Sequence, residues 1–193
     1  MAETSQIINS RDILDRARKI KLILMDVDGT LTDGSINLTS KLDAEREEAN
    51  FVSETKVFNA KDGPGLSLAH AMGIATGFIT GRKSPAVTQR AQELNVTYVY
   101  LGQATKMEAF LDCIRKAEVS EEEVAYMGDD LPDIPIARLV GLAVCVADGA
   151  QELKDVCHYV TQKRGGRGTA REVVELILKA QGRWEQAVPL ARG

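Results

Sequence analysis

The sequence predicts an α/β protein built on a doubly wound parallel sheet. Short apolar runs recur along the chain: KIKLILM first, then GIATGFIT, VTYVYL, VAYMG and GLAVCVA, each bounded by glycine or a polar turn. Helix-patterned stretches separate them, which is the βαβα alternation of parallel strands with right-handed crossovers and helices on both faces. Hydrophobic residues make up 44% of 193 positions, enough to bury a sizeable core within one domain spanning 1–193.

Ser10 caps a first helix expected to run to Arg18. The KIKLILM strand that follows is apolar enough to be buried on both faces, as the central strand of such a sheet must be. Between about residues 34 and 60, short polar and β-branched runs flank the charged stretch KLDAEREEAN, and the segment reads as a β-hairpin inserted after the first strand. A solvated charge run in an ordinary long loop is the alternative. Further helices are expected over Pro64 to Met72, from the Ser84-Pro85 cap pair to Leu94, over Thr105 to Ala117 and over Leu131 to Leu139. At the far end KRGGRGTAREVVELILKAQG places a glycine-rich turn before an amphipathic helix, and about 181–193 reads as a tail.

Composition narrows the function. A formal net charge of −4, with no basic stripe interleaved with aromatics, argues against nucleic acid. Cys113, Cys145 and Cys157 form no CxxC pair and are odd in number, the usage of reduced buried thiols. The first residues carry no apolar core before a cleavage site, and no run of about 18 apolar residues occurs, so a soluble cytoplasmic protein away from membranes is expected.

In a doubly wound sheet, ligands bind outside the carboxyl ends of the strands. Here the first strand ends in Asp26-Val27-Asp28-Gly29-Thr30, the second in Thr80-Gly81-Arg82 and the fourth in Gly128-Asp129-Asp130-Leu131-Pro132-Asp133, while Lys106 opens the helix after the third. Two carboxylates about 4 Å apart repel by roughly 4 kcal/mol at an effective dielectric near 20, so such a group demands positive charge. His70 and His158 lie away from these tips, as do the cysteines. An oxygen-only ligand set favours Mg²⁺ and disfavours zinc. Taken singly, DxDG could be an Asp-rich turn and GDDxxD a helix cap. ITGRKS lacks the upstream glycine of a phosphate-binding P-loop.

These motifs, in this order, resemble those of the haloacid dehalogenase superfamily of phosphohydrolases: DVDGT, the Thr80 of ITGR, Lys106 and GDDLPD. MDVDGTLTDG, FNAKDGPG, ITGRKS, YMGDDLPD and GGRGTAREVVELILKAQG further resemble stretches of its branch of 3-deoxy-D-manno-octulosonate (Kdo) 8-phosphate phosphatases, from about Ile20 to Gln181. The resemblance implies a Rossmann-like core in which the hairpin replaces a large cap domain. It also implies a homotetramer packed through the hairpins, with active sites completed by neighbouring subunits and a GGRG segment, Gly165 to Gly168, reaching an active-site mouth. A simple helix-preceding turn is the alternative for GGRG. Two features depart from the family pattern: a longer insert around KLDAEREEAN, and Ser67 where an arginine is expected.

By this resemblance Asp26 is the nucleophile and Asp28 the general acid and base. Mg²⁺ is held by Asp26, the backbone carbonyl of Asp28 and Asp129; Thr80 and Lys106 bind the phosphoryl oxygens; Asp130 and Asp133 orient Lys106 or metal waters. The substrate expected is an acidic keto-sugar phosphate, Kdo 8-phosphate, in lipopolysaccharide precursor synthesis. Arg82 leads the candidates for its carboxylate, with Arg90 behind it, while the turn Asn59-Ala60-Lys61-Asp62-Gly63 and Asp130 are candidates for other contacts with the substrate. A nine-carbon sialic-acid-like sugar phosphate is the alternative substrate. The motif order also distinguishes two other classes. A phosphoacceptor receiver domain needs an aspartate after the third strand, where this chain has VYLGQ; a non-catalytic tetramerisation module would lack Asp26, Asp28 or Lys106, and all are present.

Overall fold

The computed structural model describes residues 10–43 and 48–190. In chain order its helices and strands are α1 (Ser10–Ala17), β1 (Leu22–Met25), β2 (Asn37–Asp43), β3 (Glu48–Thr55), α2 (Asp62–Ala71), β4 (Ala75–Thr80), α3 (Pro85–Glu93) and β5 (Tyr98–Leu101). They continue with α4 (Lys106–Ala117), β6 (Val124–Gly128), α5 (Ile134–Ala137), β7 (Leu142–Cys145), α6 (Gln151–Lys154), β8 (Tyr159–Val160), α7 (Thr169–Ala180) and α8 (Trp184–Ala187). Six strands form one parallel sheet in the order β5-β4-β1-β6-β7-β8. That is the Rossmann-like order, and its reversal of winding falls between β1 and β6.

Alternation along β1 explains its central place. Leu22 and Leu24 pack with Ile79, Phe110 and Tyr126 on one face, Ile23 and Met25 with Val173 and Ile177 of α7 on the other. All four β1 residues are fully buried. Each contributes about 1.5–3 kcal/mol by leaving water, and a polar residue at any of them would remove its share of one core.

Strands β2 and β3 pair antiparallel as a separate ribbon between β1 and β4, with a register shift at Thr39/Ser40. No large cap domain stands beside the sheet among the described residues. Strand pairing runs through Lys41–Asp43 and Glu48–Asn50, so much of KLDAEREEAN is strand rather than connection; 44–47 lie outside the described residues.

Two other expectations are corrected. The helix expected over Leu131 to Leu139 is a 3₁₀ turn, Leu131–Asp133, followed by the short α5. Pro135 has no N–H to give Leu131 O, the bond that an α-helix begun at Leu131 would make there. Within the segment expected as a tail, Trp184–Ala187 forms α8 with Ala187 fully buried, and the Trp184 ring lies under Arg171 at 5.3 Å and Lys179 at 5.6 Å; 191–193 lie outside the described residues. Strand β8, two residues long, escaped the sequence reading because no periodicity can show in two residues. Among the described residues no helix is long and apolar enough to cross a membrane.

Candidate active site

The reversal of winding leaves a crevice at the carboxyl ends of β1 and β6, and the acidic motifs stand there. Asp26 directly follows β1, is 5% exposed, and its N–H donates to Met127 O at 2.9 Å, fixing it beside the end of β6. Lys106, the first residue of α4, puts its Nζ 2.7 Å from Asp26 Oδ1 and 2.6 Å from Asp133 Oδ1. Asp133 also accepts from Tyr126 Oη at 2.6 Å, and its Oδ2 accepts from the N–H groups of Asp129 at 3.0 Å and Asp130 at 3.3 Å. Both oxygens of Asp133 are therefore committed to holding Lys106 and the β6 loop in place.

Asp26, Asp129 and Asp133 each bring a carboxylate oxygen within 4.8 Å of the others. Glycines make this approach possible. Gly29 has φ +91°, and a Cβ there would sit 2.1 Å from Asp129 Oδ2; a Cβ at Gly128 would sit 2.3 Å from Asp133 Oδ2. Thr30 Oγ1 donates to Asp129 Oδ1 at 3.3 Å.

The electrostatics are those of a site short of positive charge. Burial pushes Asp26 up to about 6, against the pull of Lys106. Burial, then the neighbouring Asp26 and Asp133, push Asp129 up to about 8. Burial works against the charge on Lys106, but its two carboxylate partners outweigh it and raise the lysine. One lysine cannot balance three carboxylates. With Asp133 saturated, Asp26 and Asp129 are the oxygen donors left to a hard cation, and the donor set fits Mg²⁺ chemistry.

Asp28 takes no part in the group of three. Its Oδ1 accepts from Lys56 Nζ, while its Oδ2 is buried without a hydrogen-bond partner, 3.9 Å from Arg82 Nε. Arg82 Nη2 donates to Glu54 Oε1 at 3.0 Å. Lys56 and Glu54 come from the inserted ribbon, Arg82 from the loop after β4, so the ribbon meets the crevice at Asp28. Thr80 ends β4 and is 1% exposed; its Oγ1 accepts from Arg82 N at 3.3 Å.

Other residues singled out from sequence stand differently. Asp62 is buried and its Oδ1 accepts from Arg171 N at 3.0 Å, so it satisfies the first turn of α7 instead of facing the crevice. Arg90 pairs with Glu93 at 3.2 Å on its own helix and lies over the Phe58 ring. Asn59 Oδ1 accepts from Lys61 N at 2.9 Å, an Asx turn that leaves Lys61 exposed and leads through Gly63 into α2. Asp130 caps the 3₁₀ turn, accepting from Leu131 N at 2.8 Å.

The GGRG segment precedes α7 within the folded chain. It packs against its own chain's DVDGT turn, where Gly166 N and Thr169 Oγ1 both donate to Thr30 O at 3.0 Å. Lys56 and Tyr126 were missed from sequence. A hydroxyl inside the buried run VAYMG was a usable signal, because a buried phenol needs a partner; Lys56 carried none.

A model of the haloacid dehalogenase-like hydrolase family matches residues 95–172. The Kdo 8-phosphate phosphatase of Escherichia coli K12 is 42% identical over 178 residues, covering 92% of this chain and 89% of that protein. The crystal structure of the Moraxella catarrhalis Kdo 8-phosphate phosphatase, in complex with magnesium, phosphate and Kdo, superposes with a TM-score of 0.86 at 38% identity, covering 95% of this chain and all of that one. The corresponding phosphatase from Yersinia pestis superposes with a TM-score of 0.83 at 39% identity, covering 90% of this chain and 89% of that chain.

Proposed function

This chain belongs to the haloacid dehalogenase-like hydrolases, in the branch of Kdo 8-phosphate phosphatases, and from that membership we propose that it hydrolyses Kdo 8-phosphate to Kdo and phosphate through a phosphorylated Asp26. The observation that carries this reading is the Lys106 bridge between Asp26 and Asp133 at 2.7 and 2.6 Å, beside Asp129, at the switch point of the sheet.

Asp26 attacks phosphorus as the ester P–O bond breaks, and the departing sugar oxygen takes a proton from Asp28. Water then attacks the aspartyl phosphate and gives a proton to Asp28, releasing phosphate and restoring Asp26. Lys106 and Thr80 bind the phosphoryl oxygens as charge spreads over them. Asp26, Asp129 and the backbone carbonyl of Asp28 would hold Mg²⁺, which supplies neutralisation of phosphoryl charge when bound.

The sugar's carboxylate is assigned to Arg82, whose side chain is 43% exposed and can exchange Glu54 for a bidentate substrate contact. Lys61, Asn59 and Gly63 are assigned to the sugar's polar groups. The enzyme works as a cytoplasmic homotetramer in lipopolysaccharide precursor synthesis; Ile36, Leu38 and Val57, exposed at 54%, 61% and 64% in and beside the ribbon, are apolar surface that such an assembly would cover.

The test is phosphate release from a panel of sugar phosphates, ranked by kcat/KM, with Asp26→Asn as control. Kdo 8-phosphate should lead, and Asp26→Asn should lose turnover while keeping the wild-type circular dichroism. Equal rates across the panel refute the substrate assignment; appreciable turnover by Asp26→Asn refutes the mechanism.

A further inference from the structure

We propose that Lys56 is a positioning residue that clamps one oxygen of Asp28 and so presents the other to the leaving group. This deepens the acid role given to Asp28 above and rests on that reading.

Three observations carry it. Lys56 Nζ is bonded to Asp28 Oδ1, and the lysine side chain is only 2% exposed, so the contact is enclosed rather than a solvated surface pair. Glu54 Oε1 stands 3.7 Å from the same Nζ and accepts from Arg82 Nη2 at 3.0 Å, so the lysine is held from a second side and is not free to swing away. Asp28 Oδ2 is buried and accepts no hydrogen bond.

A buried acceptor without a partner costs about 1–3 kcal/mol, and such an atom in a crevice needs a ligand to account for it. With Oδ1 spent on Lys56, Oδ2 is the oxygen left to carry a proton to the ester oxygen. A carboxyl group with both oxygens free has two faces and a rotating χ2 to choose between. The ammonium removes that freedom before substrate arrives, and proton transfer demands a donor already within hydrogen-bond reach. Lys56 comes from the inserted ribbon, so the insert sets the geometry of the chemistry as well as covering the site.

The experiment uses the full chain with Mg²⁺ and compares kcat/KM, which reports steps up to alcohol release, for benzyl phosphate and p-nitrophenyl phosphate. Neither carries a carboxylate. Benzyl alkoxide needs a proton to leave; p-nitrophenolate does not. Lys56→Met should lower kcat/KM for benzyl phosphate by about 100-fold or more while changing p-nitrophenyl phosphate by less than about tenfold, and Lys56→Arg should recover part of the loss. Equal losses on both esters, or, with Kdo 8-phosphate assayed beside them, a loss confined to Kdo 8-phosphate, would overturn the inference, the first by giving Lys56 a general structural role and the second a contact with the sugar acid. Asp28→Asn separates the two levels of the argument. If it fails to discriminate between the esters, the acid assignment itself is wrong; if it discriminates and Lys56→Met does not, only the positioning role fails.

Discussion

Gly165 offers a direct test of how the segment leading into α7 and the DVDGT turn are joined. A Cβ at this position would lie 1.8 Å from Gly29 O, 2.8 Å from Gly29 C and 3.0 Å from Thr32 O, all backbone atoms of the turn that follows Asp28. Ordinary contact begins at 3.4 Å, so Gly165→Ala requires a displacement of about 1.6 Å between the two segments. Neither is free to give way alone. Gly165 N is held by Asp148 Oδ1 at 2.8 Å, and Gly166 N is bonded to Thr30 O at 3.0 Å. Overpacking of this kind costs about 1–3 kcal/mol. In a chain of this size that lowers Tm by about 2–12 °C. A shift of about 1 Å at reacting groups costs on the order of 100-fold, so kcat on p-nitrophenyl phosphate should fall at least that far. Gly73→Ala is the matched control: its φ of +70° brings backbone strain, but a Cβ there meets nothing within 4 Å. It should lower Tm by about 2–8 °C, for about 1–2 kcal/mol of left-handed strain, and leave kcat unchanged. A Gly165→Ala enzyme with kcat within about threefold of wild type would refute the reasoning, as would an equal loss of activity in Gly73→Ala.

Two further outcomes follow from the charge distribution. Because Lys106 is, among the described residues, the one cation paired within the group of three carboxylates, Mg²⁺ at about 100 times its dissociation constant should stabilise the fold by about 2.7 kcal/mol, read as a rise in Tm that Asp129→Asn largely abolishes; an unchanged wild-type Tm would count against the metal assignment. His158 Nδ1 accepts from Ala143 N at 2.9 Å, and burial lowers the imidazole below its ordinary value, so the unfolded chain takes up the proton first. Its contribution is complete above about pH 6.5 and is lost as pH falls, making urea midpoints between pH 8 and 5.5 drop more steeply in wild type than in His158→Gln.

Much of the strand-end cluster proposed as the active site is legible in the sequence. Asp26, Thr80, Lys106 and Asp129 sit at the ends of runs whose composition marks them as buried parallel strands or at the start of the helix that follows, and a doubly wound sheet delivers those positions to one crevice. Asp62 shows where such reading stops. It lies in a turn that looks suited to substrate, yet its carboxylate serves the first turn of a helix 109 residues later. Nothing local to a turn distinguishes a carboxylate that faces solvent from one that satisfies a distant helix end, because both are polar residues in a loop.

Periodicity and turn chemistry, which act between residues a few positions apart, determined the strands, most helices and the order of the motifs. Tertiary structure alone decided that the GGRG turn buttresses the DVDGT turn, that Asp133 rather than Asp130 holds Lys106, and that a lysine at the foot of the inserted ribbon meets Asp28. Those contacts join segments 27 to 139 residues apart. They exist only once the sheet has closed, because the free energy that selects them is that of burial and of pairing buried charge, and neither is written in any short stretch of chain.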